Sequence, residues 1–229
     1  MLSVIVPTYN EAKNIQPLLR EVQSVLDNST LGPYEILVVD DDSPDKTWKL
    51  VQEVADGERI RLVRRKDDRG LARAVLRGLQ ESRYEHVVVM DADFQHPPEA
   101  IPRLVQKLQS GDDVVVASRY VDGGDVRDFG TFRKLLSIGA NMIARIVLEE
   151  VRTIKDPLAG YFAFRKSIIE EKLPHPLGYK ILLTILVEGD YESVSEIGYT
   201  FEPRRAGDSK LGLKNIYYFL AHLGKLYFS

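Results

Sequence analysis

The chain of 229 residues contains no cysteine. That absence excludes a disulfide framework and a thiolate metal centre, and it agrees with a cytoplasmic environment. Also missing is any uninterrupted apolar run near the ~20 residues that a spanning helix needs. The opening MLSVIVPTYNEAKN turns polar too soon for a signal peptide, so it reads as a buried strand. Charge of one sign is lacking too, because 31 basic and 34 acidic residues leave a net charge of -3. A general nucleic-acid surface is thereby excluded, and any anion binding falls to local clusters. With 44% hydrophobic and 28% charged residues, disorder and coiled coil are excluded as well. No linker, repeat or low-complexity tract interrupts the chain, so residues 1–229 are expected to form one domain.

What is present is alternation. Short β-branched runs at Leu2 to Val6, Glu35 to Asp40, Arg59 to Val63, His86 to Met90 and Asp113 to Ala117 read as strands. Between them, Ile15, Leu18, Leu19, Val22, Val25 and Leu26 recur at helical spacing, as do Leu50, Val51 and Val54. The sets Leu71, Val75, Leu76, Leu79 and Ile101, Leu104, Val105, Leu108 add two more helices. The pattern predicts an α/β fold with a mainly parallel sheet flanked by helices. After Tyr120 the glycine-rich, charged VDGGDVRDFG is expected to be loop, followed by a helix at Thr131 to Leu148. A strand near Gly160 to Phe164, a helix near Tyr179 to Val187, a strand at Ser193 to Phe201 and a last amphipathic segment complete the reading.

In an open parallel sheet, ligands bind beyond the carboxyl ends of the strands. The polar clusters fall there: PTYNE after the first strand, DDDSPD after the second, DADFQH after the fourth. Pro7, Tyr9 and Glu11 could stack and hydrogen-bond a planar base, or Pro7 and Asn10 could simply form a turn. Asp40, Asp41 and Asp42 could bind base or ribose hydroxyls, or Asp42 or Ser43 could cap the helix after Pro44. Asp91-Ala92-Asp93 is the stronger signal. Two carboxylates at the end of a buried strand are costly unless a positive charge sits beside them. With Gln95 they offer hard oxygen ligands for Mg²⁺ or Mn²⁺ rather than zinc. Such a cation would neutralise a diphosphate leaving group.

The motifs IVPTYNE, VVDDDSPD, MDADFQHPPE and ASRY, in this order, resemble those of the inverting family-2 glycosyltransferases of GT-A fold. FRKLLSIGANMIARIVL, DPLAGYFAFRK and RRAGDSKLG narrow the likeness to the members that mannosylate polyprenyl phosphates. The resemblance covers essentially the whole chain. It implies a GT-A Rossmann-like sheet and transfer of mannose from GDP-mannose to dolichyl (polyprenyl) phosphate. It also implies a donor site of Pro7, Tyr9, Glu11, Asp40, Asp91, Ala92, Asp93, Gln95, Arg204 and Lys210, with Asp91, Asp93 and Gln95 as metal ligands. Gly207 would let the loop carrying Arg204, Arg205 and Lys210 close over the donor, unless that loop is simply an exposed basic one.

A lipid phosphate, with a second pKa of about 6, is already anionic and needs no strong general base. The site must instead hold two anions together. Arg119, Arg133, Ser137 and Arg204 are the candidates for the acceptor phosphate, since arginine grips phosphate in a fork. Arg133 and Ser137 share one helix face. Arg119 could equally pair with the acidic loop Asp122 to Asp128, and Asp156 could orient an arginine or act as a weak base. The catalytic set is thus Asp93, Arg119 and Arg204. His96 is either a site residue or a structural neighbour.

Thr131 to Leu148 and Leu211 to Phe228 edge apolar faces with lysine and arginine, as helices lying in a membrane interface do, although packing on the sheet has the same look. A peripheral place on the cytoplasmic face of a membrane follows, with membrane helices beyond Ser229 left open. A polyprenyl-phosphate glucosyltransferase using UDP-glucose is the near alternative, and a non-catalytic nucleotide-sugar binder the distant one. A dinucleotide-binding dehydrogenase is disfavoured, because no G-x-G-x-x-G follows the first strand.

Overall fold

The computed structural model describes residues 1–127, 130–169, 180–205 and 213–228. Seven strands form one sheet in the order β3-β2-β1-β4-β7-β5-β8. The first half is doubly wound and parallel. Strand β1 (Leu2–Thr8) lies between β2 (Tyr34–Asp40) and β4 (His86–Val89), and β3 (Ile60–Arg64) forms the edge. Such strands are covered on both faces, which is why they read as unbroken apolar runs rather than alternating ones.

One face carries α1 (Ile15–Asp27), α2 (Thr47–Gln52) and α4 (Ile101–Gln109), which pack on Leu2, Val4, Val6, Ile36 and Val38. The periodic residues Ile15, Leu18, Leu19, Val22 and Leu26 of α1 are buried there. Leu19→Ala is expected to cost about 2–5 kcal/mol. The other face carries α3 (Leu71–Glu81), α5 (Thr131–Val147), α6 (Ile181–Glu188) and α7 (Leu213–Tyr227). Gly78 brings α3 close to β1: a Cβ there would lie 2.6 Å from Ile5 Cγ2. Val54, read as part of a helix face, lies just past α2 and is 37% exposed.

The second half departs from the parallel plan. Strand β7 (Phe162–Arg165) runs antiparallel between β4 and β5 (Val114–Ser118), with Val88 opposite Ala163. The run Ser193 to Phe201 is split. Its first part, β8 (Val194–Gly198), pairs in parallel with β5; its second, β9 (Thr200–Phe201), pairs with β6 (Asp125–Val126). The expectation that VDGGDVRDFG holds no strand is therefore corrected. Two residues of it are strand because Tyr199 and Phe201 carbonyls accept from the Asp125 and Arg127 amides at 3.0 Å.

Among the described residues, no helix is long and apolar enough to cross a membrane. Helix α5 nonetheless exposes Leu135 (62%), Met142 (57%) and Ile146 (66%), and α7 exposes Tyr217, Leu220 and Tyr227. Leu148, Phe219, Leu223 and Leu226 of the two apolar segments are buried in the core instead.

Candidate active site

The carboxyl ends of β1, β2 and β4 open side by side, as the parallel register requires. The first two loops are stitched together. Thr8 Oγ1 donates to Asp40 Oδ2 at 2.7 Å, while the Ser43 amide and hydroxyl donate to the same carboxylate at 2.8 and 2.7 Å. Asp40 is completely buried, beneath the loop rather than on it. The Ser43 hydroxyl also accepts from the Asn10 amide, and Thr47 Oγ1 from the Glu11 amide. Asn10 adopts a left-handed φ of 60°, which turns the chain from β1 into the PTYNE loop and leaves Tyr9 36% exposed at its rim, above the buried Pro7.

Neither Asp42 nor Ser43 caps the following helix. Asp45 serves the Thr47 amide and hydroxyl, at 3.0 and 2.6 Å. Asp41 holds the loop after β3 by accepting from Arg65 and from the Gly70 amide, and Asp42 pairs with Arg64 and Arg69.

Beyond β4 the acidic loop turns at Phe94, whose φ is 66°. Ala92 is buried within the loop. Asp93 is nearly inaccessible, with its side chain 3% exposed, whereas the Asp91 side chain keeps 38% exposure. Desolvation raises the pKa of both. For Asp91 the charges of Lys180 and Arg204 work against that rise; for Asp93 the neighbouring Asp91 adds to it. Gln95 donates its amide nitrogen to the Glu202 carbonyl at 3.4 Å, which leaves the amide oxygen as a donor atom for a cation.

Arg204 meets this pair directly. Its Nη2 lies 2.6 Å from Asp93 Oδ2, and its Nη1 lies 3.6 Å from Glu11 Oε1, so it joins the first and fourth strand ends. The segment is pinned on either side by Glu202 N to Gln95 O and Arg205 N to Asp93 O. Arg205 caps the Phe94 ring at 3.7 Å and pairs with Glu21. Lys210 and Gly207 lie outside the described residues.

Arg119 follows β5 and is held by Asp156. The backbone N, Nε and Nη2 of Arg119 donate to the Asp156 carboxylate at 3.1, 2.8 and 2.7 Å. Asp156 is wholly buried and is itself placed by Glu196, which accepts from the Lys155 and Asp156 amides. Burial is the largest single influence and works against the guanidinium charge, but the bond and charge of Asp156, with Tyr120 and Tyr199, together outweigh it and raise the Arg119 pKa. Among the described residues of the acidic loop, the expected alternative partner, Asp122 and Asp125 make no bond to Arg119, and Asp128 lies outside the described residues.

On α5, Arg133 is exposed, and Ser137 accepts from the Tyr120 hydroxyl at 2.9 Å, which places Ser137 next to the residue following Arg119. One further group, Lys180, went unread in the sequence, and His96 was left between two readings. Lys180, at the start of α6, donates to the Leu158 carbonyl at 2.6 Å and is pushed down to about 8 by burial and then by Arg119. A lone lysine abutting the apolar ILLTILV was the available signal. His96 is buried, pushed down to about 4 by desolvation, and accepts from the Asp91 amide.

The sequence profile of glycosyl transferase family 2 matches residues 3–173. A dolichol-phosphate mannosyltransferase of Pyrococcus furiosus is 45% identical over 98% of this chain, which spans 63% of that relative's length. A polyprenol monophosphomannose synthase of Mycolicibacterium smegmatis is 37% identical over 93% of the chain and 82% of its own length. Among solved structures, glucosyl-3-phosphoglycerate synthase of Mycobacterium tuberculosis, bound to Mn²⁺, UDP-glucose and phosphoglyceric acid, superposes with a TM-score of 0.72. It is 21% identical and covers 98% of this chain and 80% of that one, so it attests the GT-A fold alone. With the profile covering most of its length and the sheet of that fold, the chain belongs to glycosyl transferase family 2.

Proposed function

We propose that the chain transfers mannose from GDP-mannose to a dolichyl or other polyprenyl phosphate, with inversion at the anomeric carbon. The observation that carries this reading is the gathering of two carboxylates and two guanidiniums at neighbouring strand ends: Asp91 and Asp93, Arg204 on Asp93, and Arg119 in the fork of Asp156, with Tyr199 within electrostatic reach of Arg119, Asp91 and Asp93 alike. Both substrates are anionic, so a site that joins them needs fixed positive charge on either side. The sugar and the acceptor are those in the names of the Pyrococcus and Mycolicibacterium relatives.

The residues suit a hard divalent cation. Two desolvated carboxylates lie near each other with an amide oxygen close by and no thiolate in the chain, and the one imidazole beside them spends a ring nitrogen on the Asp91 amide, which favours Mg²⁺ or Mn²⁺. Among the described residues, no group of three histidines, aspartates or glutamates is placed to hold a metal. Asp91, Asp93 and Gln95 would therefore share the ion with the donor's own phosphates. Once bound, the ion stabilises the charge that grows on the departing diphosphate.

The protein's own groups divide the remaining work. Pro7, Tyr9 and Glu11 border the nucleoside, and Asp40 keeps their loop in shape from below. Arg204 exchanges Asp93 for phosphate oxygens as the donor binds, with Lys210 joining from the same loop. Arg119, Arg133 and Ser137 receive the acceptor phosphate, whose oxygen attacks opposite the leaving group. Asp156 orients Arg119 and takes no proton. The exposed apolar faces of α5 and α7 lie in the membrane interface, where a polyprenyl chain would be met.

Incubating the protein with Mg²⁺ or Mn²⁺, a polyprenyl phosphate and either nucleotide sugar tests this. Lipid-linked mannose from GDP-mannose is expected. Lipid-linked glucose from UDP-glucose, without mannose, would establish the alternative specificity, and no product from either would contradict transfer altogether.

A further inference from the structure

His96 is buried beside the acidic loop and takes no part in the reaction outlined above. Its Nδ1 accepts the backbone N–H of Asp91 at 3.0 Å. A ring nitrogen that accepts carries no proton, so the neutral imidazole bears its hydrogen on Nε2. Nε2 stands 4.0 Å from Asp91 Oδ2, longer than a hydrogen bond. One side chain therefore bonds the backbone of Asp91 and lies within a small shift of its carboxylate.

The ring itself is tightly placed. It stacks on Tyr161 with centroids 4.9 Å apart and 18° between the planes, and the edges of Tyr199 and Phe201 close it in. Tyr161 is anchored in turn by its hydroxyl, which donates to the Pro97 carbonyl at 3.0 Å. Across from it, a Cβ on Gly160 would stand 3.2 Å from His96 Cε1 and 3.4 Å from Asp91 Oδ2. A side chain at that position would crowd both.

Packing alone asks only for an aromatic ring, which phenylalanine could supply. It does not ask for an acceptor aimed at the Asp91 amide or for an N–H aimed at the Asp91 carboxylate. A carboxylate that takes up a cation binds best when its orientation is fixed beforehand by such a partner.

We propose that His96 is the positioning residue of Asp91: through Nδ1 it sets where the strand ends, and through Nε2–H it turns the carboxylate toward the cation and the donor diphosphate. The inference rests on the functional reading above. Its test is the uptake of Mn²⁺ in the presence of GDP, followed by loss of the free-ion electron paramagnetic resonance signal, which needs neither sugar nor acceptor.

His96→Phe keeps the stacked ring and removes both nitrogens, and it is expected to weaken Mn²⁺ uptake about 10- to 100-fold, while Tyr161→Phe stays within about two-fold. His96→Gln, which can return an amide N–H near the Nε2 position, recovers part of the loss. Should the variants fold poorly, ¹⁵N shifts of the wild-type imidazole give the same answer. They are expected to report hydrogen on Nε2 and to move when Mg²⁺ and GDP are added. Hydrogen on Nδ1, or His96→Phe taking up Mn²⁺ like the wild type, overturns this inference alone. Wild-type protein that takes up no Mn²⁺ with GDP overturns both it and the functional reading.

Discussion

Arg119 and Arg204 are the two arginines assigned to the candidate site, yet the chain holds them in opposite ways. Arg119 has a side chain 9% exposed and gives three bonds to a carboxylate that is itself buried. Arg204 is 25% exposed, touches one oxygen of Asp93 closely and reaches Glu11 only at 3.6 Å. The first is a socket whose charge is fixed by the fold. The second is a shallower contact, made by a side chain that solvent and ligand can reach. In the proposed reaction that difference has a use: the acceptor phosphate meets a preformed cation, and the donor diphosphate draws over one that was paired elsewhere.

The largest expected effect lies where both regions depend on the acidic pair. Asp93→Asn removes a proposed metal ligand and the carboxylate paired with Arg204, and turnover should fall about 10³-fold or more, several kcal/mol of transition-state stabilisation. A variant retaining a tenth of wild-type turnover would show that the pair does not hold the cation. Next comes the socket. Asp156→Asn leaves the Arg119 charge buried with a weakened partner, and denaturant unfolding should show a loss approaching the ~3–5 kcal/mol of a broken buried pair. A loss below about 1 kcal/mol would make Arg119 no more fixed than Arg204.

Arg204→Ala should reverse the balance. With a partly exposed, exchangeable pair removed, stability should move by about 1 kcal/mol or less, while GDP affinity with Mn²⁺ drops roughly tenfold. Unchanged GDP affinity would detach this arginine from the donor.

The smallest effect concerns a site remote from both arginines and serves to calibrate them. His222 bonds Thr184 at 2.9 Å between α6 and α7, and burial, then Lys225, pushes its pKa down to about 4 from an ordinary 6.5. Between those values the unfolded chain holds the proton and the folded chain does not. Its contribution is therefore fully present above pH 6.5 and is lost as pH falls toward 4. His96 acts in the same direction, so His222→Gln should flatten the acid limb of the stability profile without abolishing it. Parallel profiles for variant and wild type would show that His222 titrates alike in both states.

The two regions were also unequally legible. The donor half announces itself locally: each buried strand is one apolar run, and each polar cluster follows a strand directly, so Pro7, Glu11, Asp91 and Asp93 could be placed from spacing alone. Asp40 was legible as a strand-end acid but not as a buried one, because its three bonds come from Thr8 and Ser43, and only the β1–β2 pairing brings Thr8 near. The acceptor half depends on contacts that sequence does not encode locally. Arg119 and Asp156 are 37 positions apart and meet because β7 returns antiparallel beside β5. The direction of a strand leaves no mark on its composition. Nor does the apolar pattern of α5 or α7 tell which residues face the sheet: Leu148 and Leu223 are buried, while Leu135 and Leu220 are exposed.

The division of the site is tested most directly by Arg119→Lys, which keeps a positive charge beside Asp156 and removes the fork. Two quantities are compared in the same preparation: GDP affinity with Mn²⁺ by calorimetry, and KM for polyprenyl phosphate in the transfer assay. The account predicts GDP affinity within about two-fold of wild type and an acceptor KM raised roughly tenfold, the ~1.4 kcal/mol of a lost charge-assisted bond. Loss of GDP affinity with an unchanged acceptor KM would contradict it.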